Sequence, residues 1–568
     1  MVFFKHFVVP IFLLQSILII FPHLIQPQDL SGFINIDCGS SEMSNYINKT
    51  MGISLSYLSD ENYTDSGEKK VISQEYKDQM ANEPQLWNVR SFPNGARNCY
   101  TVKPTRAQGT KYLIRATFLY GNYDNIDRPP TFDLYIGVDY WDTLSIENAW
   151  TPIRREIIYV LSSDRLHVCL VNTKNGAPFI STLELRPLAD EIYQTKNGTF
   201  LKLRGRSDYS SSTDDEKLRY KDDIYDRLWR SRGRKEWSPF LTTSLSDVNS
   251  IEKGDYEVPF TVMNTAYTLD RNSTDDISIE WESMSSTERY FLYLHFAELE
   301  QLNENEKREF DIYVNDDEDS WYDNMSPEYL SGKAIQSTEG VEVEGGVKLS
   351  ISLSKTKNST LPPLINAMEI YMQKELSQKE TNQMDEKAMW NVKEVYGLKR
   401  NWQGDPCNPG NFTWDGVGCD SNNSSNIVSL NLSSCELKGE IASSIANLTM
   451  LNNLDLSNNS LNGAVPEFLA QLSSLKFLNL KGNNLTGPIP DALLQRLKNN
   501  QLYLSFDANM NSSTPSPCSS CEKNKKKIVV PLVASLGVSL VIVFIIVSVI
   551  WIFKRRSRRP AAPKDLRG

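Results

Sequence analysis

The chain is poor in the residues that carry most enzyme chemistry. It has 4 histidines and 8 cysteines among 568 residues. Only His167 and His295 lie between Asp29 and the long apolar run near the C-terminus, which leaves little room for Ser-His or Cys-His nucleophilic catalysis. The cysteines are too few for a disulfide-built scaffold, so stability must come from ordinary cores. G-x-S-x-G, H-E-x-x-H and G-x-x-x-x-G-K-[ST] do not occur. Paired acids such as Asp214/Asp215 and Asp316/Asp317 sit in loop-like runs and read as solvated; a glycosidase needs two carboxylates roughly 5–10 Å apart in a cleft. One C-x-x-C, Cys518/Cys521, has no second copy and too few histidines nearby for zinc. No metal and no cofactor are expected. Positive charge is also short: the formal net charge is −11, and an acidic surface has no footprint for nucleic acid.

What the chain does have is one uncharged run, Ile528–Phe553, longer than the ~20 residues a bilayer core needs. Lys554, Arg555, Arg556, Arg558 and Arg559 follow it, in keeping with the positive-inside rule. Lys523, Lys525, Lys526 and Lys527 on the other flank weaken that argument, so orientation rests on the N-terminus. There Lys5 and His6 precede an apolar stretch, Phe7–Ile20, which reads as a secretory signal within residues 1–28; the alternative is an uncleaved anchor. The expectation is a type I plasma-membrane protein with its N-terminus outside, a juxtamembrane linker at 511–527 and a cytosolic stub at 554–568. Sequons agree: Asn48, Asn62, Asn197, Asn272, Asn324, Asn358, Asn411, Asn422, Asn423, Asn431, Asn447, Asn458, Asn484 and Asn511 all precede the span.

The ectodomain repeats itself. YLIRATFLYG from Tyr112 matches YFLYLHFAEL from Tyr290, and FDLYIGV from Phe132 matches FDIYVND from Phe310. A third pair is FISTLELRPL from Phe179 and LINAMEIYM from Leu364. This is a tandem duplication of short alternating runs, in which Phe132, Leu134 and Ile136 share one strand face. Two β-sandwiches are expected, at 29–190 and 191–373. A second repeat begins L-x-L at Leu430, Leu454, Leu478 and Leu502, with Cys435, Asn459, Asn483 and Asp507 five residues on. That is a leucine-rich repeat of period 24 over 430–510. Its concave face should carry Asn431, Ser433, Asp455, Ser457, Asn479, Lys481, Tyr503 and Ser505, as a solvated face or as a docking edge for a co-receptor. A glycan on Asn431 would obstruct the first strand, so any contact should use the later repeats or the solenoid's side. Between the two repeats, 374–401 reads as a linker with a short amphipathic helix on Met389, Val392, Val395 and Tyr396.

SGFINIDCG from Ser31, VRSFPNGARNCY from Val89, KYLIRATFLYGNYD from Lys111, PPTFDLYIGV from Pro129 and HVCLVNT from His167 resemble the plant malectin-like domain. That resemblance implies a tandem pair of jelly-roll-like sandwiches. Trp402, Gly404, Asp405, Pro406, Cys407, Trp414 and Cys419 look like the plant repeat's N-terminal cap, at 402–429, which implies a Cys407–Cys419 disulfide; Cys518 and Cys521 would close the far end. Cys38, Cys99 and Cys169 form an odd set whose pairing stays open. The whole order is similar to malectin-like leucine-rich-repeat receptor-like kinases of plants. Animal malectin holds a glucosyl disaccharide with loop aromatics and an acid, for which Tyr120, Tyr123 and Asp124 are the nearest candidates; alternatively they pack their loop or cover the inter-domain cleft. A peptide between the two sandwiches is the competing ligand reading.

In that family a Ser/Thr kinase follows the span. No Gly-rich loop, V-A-I-K, H-R-D or D-F-G follows Phe553 here, so kinase activity is not carried over and the chain is not expected to be an enzyme. Three functions fit: a receptor-like protein that binds a peptide or carbohydrate and signals through a partner kinase or co-receptor; a truncated or spliced receptor-kinase product acting as a decoy; or a wall-associated, carbohydrate-binding adhesion protein.

Overall fold

The computed structural model describes residues 32–507, apart from 49–52, 107, 210–216, 220–221, 233–239, 244–250, 283–286, 316, 344–347 and 421–424. Among the described residues no helix is long and apolar enough to cross a membrane. The expected signal segment and span lie outside them, as do Cys518, Cys521, Asn422, Asn423 and Asn511.

The alternating runs fold as strands because their period of two gives each strand one apolar face. In Thr131–Ile136 the side chains of Phe132, Leu134 and Ile136 are fully buried, while Thr131, Asp133 and Tyr135 are half-buried. Each sandwich pairs two sheets. In the first, Ile53–Ser59, Ile34–Asp37, Thr182–Pro187, Lys111–Phe118 and Ile153–Val160 lie side by side; the sheet opposite is Arg97–Val102, Leu166–Asn175, Thr131–Ile136 and Asp139–Ser145. The second repeats this order with Thr199–Asp208, Ala367–Glu375, Arg289–Phe296 and Lys333–Gln336, facing Ile277–Glu282, Lys348–Lys355, Phe310–Val314 and Tyr322–Met325. The three matched sequence pairs fall on corresponding strands.

The two sandwiches are not beads on a string. Ile157 and Ile158 at the edge of the first pair with Lys202 and Leu201 of the second, so one 13-stranded sheet runs through both. Leu113 and Ile158 of the first sandwich pack into the core of the second. An edge strand that would otherwise be open to foreign pairing is thereby closed.

Cys99 and Cys169 are disulfide-bonded across neighbouring strands of the first sandwich, and Cys38 is a buried free thiol. The disulfide is also where the solenoid is seated. Gly404 has φ +64°, and a Cβ there would meet Cys99 Sγ at 2.9 Å and Cys169 Sγ at 3.1 Å, so only glycine lets the loop lie on the bond. Its neighbour Asp405 accepts from Thr381 N at 2.8 Å, Cys407 N at 2.9 Å and Asn408 N at 2.8 Å. Arg97 reaches across from the sandwich and donates to the carbonyls of Asp405 (2.9 Å) and Asn408 (3.0 Å).

The linker helix is Gln383–Tyr396. Asn382 caps its start, accepting from Met384 N, and Gly397 ends it in the left-handed conformation. Ala388, Met389 and Val392 are buried in the solenoid core. Val395, expected on that face, is 62% exposed; it turns about 100° per residue away from the narrow stripe set by Met389, Val392 and Tyr396.

In the solenoid, Leu430, Leu454 and Leu478 stack in register on parallel strands. Asn459 explains its own position: its amide donates to Leu432 O (2.8 Å) and Leu456 O (2.9 Å) and accepts from Cys435 N (2.9 Å). The fourth turn departs from the expected period. Leu504, not Leu502, pairs with Leu478, and Ser505 pairs with Asn479. The extra length accommodates the helix Asp491–Lys498 of 8 residues, where the preceding turn has one of 4, Phe468–Gln471. Asp507 still reaches the turn before it, accepting from Gly482 N at 2.7 Å and, at 3.4 Å, from Asn483 N, the donor that corresponds to Cys435 N at Asn459.

Cys407 and Cys419 are bonded within the cap, 12 residues apart, against Trp402 and Trp414. Cys407→Ser is expected to cost roughly 2–5 kcal/mol and to cause retention in the secretory pathway. Unfolding of the secreted ectodomain together with surface delivery of the full chain checks this.

Candidate ligand-binding surfaces

Tyr120 and Tyr123 lie in the turn after Lys111–Phe118, but their rings point inward. They are 1% and 6% exposed, pack edge-to-face on each other at 5.4 Å and both contact Phe179. Tyr120 donates to Asp124 at 2.6 Å, and Asp124 also accepts from Ile126 N. Burial raises the Tyr123 hydroxyl above its ordinary value, as it does that of Tyr120. Of the readings left open for these three residues, the burial of both rings and the Tyr120–Asp124 bond favour packing of the loop.

Side chains fill part of the space between the sandwiches as well. Arg115 donates to Glu156 (3.0 Å), Glu184 (3.0 Å) and Asp226 (3.4 Å), and Arg186 donates to Asp226 at 2.8 Å. Glu156, on the first sandwich's edge strand, also lies 2.7 Å from Arg206 of the second, which donates to Glu369 at 2.7 Å. Glu369 accepts from Tyr193 at 2.8 Å and contacts His295 at 3.2 Å. These groups are all buried, so this part of the interface is filled by side chains. Burial would push the Glu184 and Asp226 carboxyls up, but Arg219, with Arg115 and Arg186 behind it, holds both well below the carboxylate range. Arg206 does the same for Glu369 against its burial.

An open cleft of ≈ 620 Å³ lies instead where the first sandwich meets the linker helix. One wall is the turn Glu61–Asp65 with Thr101 and Lys103; the other is Trp390, Lys393 and Leu398. Apart from the sequon residue Asn62, these residues carry no sequence motif; they come from a turn, a strand and the linker helix, which ends at Gly397. Trp390 stacks on His167 at 5.7 Å and meets Trp414 edge-on at 5.1 Å. Lys393 is spent on Asp65 at 2.8 Å and on Trp402 O at 2.8 Å. His167 Nε2 is 3.0 Å from Glu386, a second tie across the same joint. Asn62, a sequon asparagine, is on the rim.

On the solenoid, Asp455 accepts from Ser457 N at 2.9 Å and from Asn479 at 3.2 Å, and Lys481 is exposed. Tyr503 is 63% exposed and stacks on Phe477 at 5.3 Å with an interplanar angle of 4°. This face is small and polar with one aromatic pair. The sequon side chains Asn62, Asn197, Asn272, Asn324, Asn358, Asn411, Asn431, Asn447, Asn458 and Asn484 are exposed. Among the described residues no group is arranged to hold a metal ion.

The Malectin-like domain matches residues 36–373, and the Leucine Rich Repeat matches 426–448, 450–472 and 474–495. The chain belongs to the malectin-like domain family and carries leucine-rich repeats after that domain. Two Arabidopsis thaliana receptor-like kinases, At2g19210 and At1g05700, are 43% and 44% identical to it over 544 and 541 residues, 95% and 94% of this chain. The chain spans 60% of the length of each. The crystal structure of the plant receptor-like kinase FER superposes with a TM-score of 0.50 at 17% identity, over 60% of this chain and 96% of that one, which shows a shared fold.

The acids divide into two classes with opposite pH behaviour. Glu184, Asp226 and Glu369 have lowered folded values, so their contribution is present above ~pH 4 and is lost as pH falls through those values. At the sandwich–solenoid joint burial raises Glu380, Asp385 and Asp139. Their contribution is present below ~pH 4 and is lost as pH rises through the raised values. Glu380→Gln, which stays uncharged, is therefore expected to raise the melting temperature at neutral pH and leave it unchanged near pH 4. Equal shifts at both pH values would contradict this.

Proposed function

We propose that this chain is the extracellular, ligand-receiving part of a plasma-membrane receptor, with a peptide held in the cleft between the first sandwich and the linker helix. The cleft carries the reading. Its walls come from segments far apart in sequence, and it is open while the 120–124 loop and the ion-paired part of the inter-sandwich interface are filled by side chains. Clefts between domains are common ligand sites. Signalling would pass to a co-receptor or receptor kinase through the later repeats, where Asp455, Ser457, Asn479, Lys481 and Tyr503 share one face clear of a glycan on Asn431. A decoy would share the ligand contacts and lack the kinase partner; co-purification of a kinase with the surface-delivered chain separates the two.

Trp390→Leu, which keeps an apolar body under Trp414, is expected to weaken retention of extracellular peptides on the secreted ectodomain by about tenfold while melting stays within a few degrees. Unchanged retention would remove the cleft as the site.

A further inference from the structure

The cleft's charges are unevenly spent. Of its acids, Asp65 is taken by Lys393 at 2.8 Å and Glu61 by Lys69, which leaves Glu394 at the rim. Of its cations, Lys103 and Lys399 are exposed and have no ion-pair partner among the described residues. Arg165 lies over the Trp390 ring at 5.9 Å, and its carboxylate partner, Asp164 at 3.0 Å, is 61% exposed and screened by water. Two carbonyls at the end of the linker helix are occupied: Gly397 N and Leu398 N donate to Glu394 O and Lys393 O. The result is a spare positive rim over an apolar floor of Trp390 and Leu398, on a protein whose net charge is −11.

Resting on the reading of this cleft as the ligand site, we infer that its ligand is an acidic peptide, a carboxylate-bearing segment with an adjacent aromatic or aliphatic side chain. The carboxylates would sit between Lys103 and Lys399, and the apolar side chain on the indole. A negatively charged ligand is also steered toward a positive rim on an otherwise acidic protein. A uronic-acid polysaccharide shares the charge but not the hydrophobic group.

The test is calorimetric titration of the secreted ectodomain with three probes. They are a short synthetic peptide of alternating aspartate and phenylalanine, the same peptide with lysine for aspartate, and an oligogalacturonide of equal charge. The acidic peptide should bind, with affinity falling as salt rises. It should bind about tenfold more weakly to Lys103→Glu/Lys399→Glu, whose exposed positions leave folding intact. Equal binding of the lysine peptide, tighter binding of the oligogalacturonide, an indifferent double variant or no binding of the acidic peptide each overturns the inference. If the lysine peptide or the oligogalacturonide binds and Trp390→Leu abolishes it, the cleft stands and only the ligand class is wrong. If no binding depends on Trp390, the cleft itself is wrong.

Discussion

Everything else in the molecule depends on a line of buried carboxylates and guanidinium groups where the two sandwiches meet. Glu156 is shared between Arg115 of the first sandwich and Arg206 of the second, and Asp226 gathers Arg115, Arg186 and Arg219. Each charge has been taken out of water, which is costly unless every partner is in place. Removing one leaves the others unpaired, so the arrangement tolerates little relative movement of the sandwiches. The sheet that continues from Ile157–Ile158 into Leu201–Lys202 fixes the same geometry through backbone bonds.

That fixed pair sets up the second joint. Gly404 on the Cys99–Cys169 bond, Asp405 tying the loop and Arg97 holding its carbonyls seat the solenoid cap on the outer sheet of the first sandwich. The linker helix is carried along, and the space left beside it is the cleft. A ligand there would touch both sandwich and solenoid at once, which is how binding at one could bias what docks on the other.

Much of this was legible from sequence. The period-two runs and their tandem match gave the strands of both sandwiches, since alternation is a direct image of a half-buried strand. The L-x-L leucines and Asn459 gave the solenoid because the amide must satisfy buried backbone groups wherever it recurs. What failed was whatever depends on contacts between distant segments. Whether Tyr120 and Tyr123 face a ligand or pack their loop stayed open in the sequence, because Phe179, which packs against both, arrives from another strand. The fourth turn slipped by two residues because a longer helix on the far side is invisible to leucine spacing. The cleft was missed because neither wall has a motif of its own.

The shared sheet and the buried ion pairs make the two sandwiches one body. Calorimetric unfolding of the secreted ectodomain at neutral pH tests it most directly. Both sandwiches should melt in a single transition whose calorimetric and van't Hoff enthalpies agree. Two resolved transitions, one for each sandwich, would contradict it.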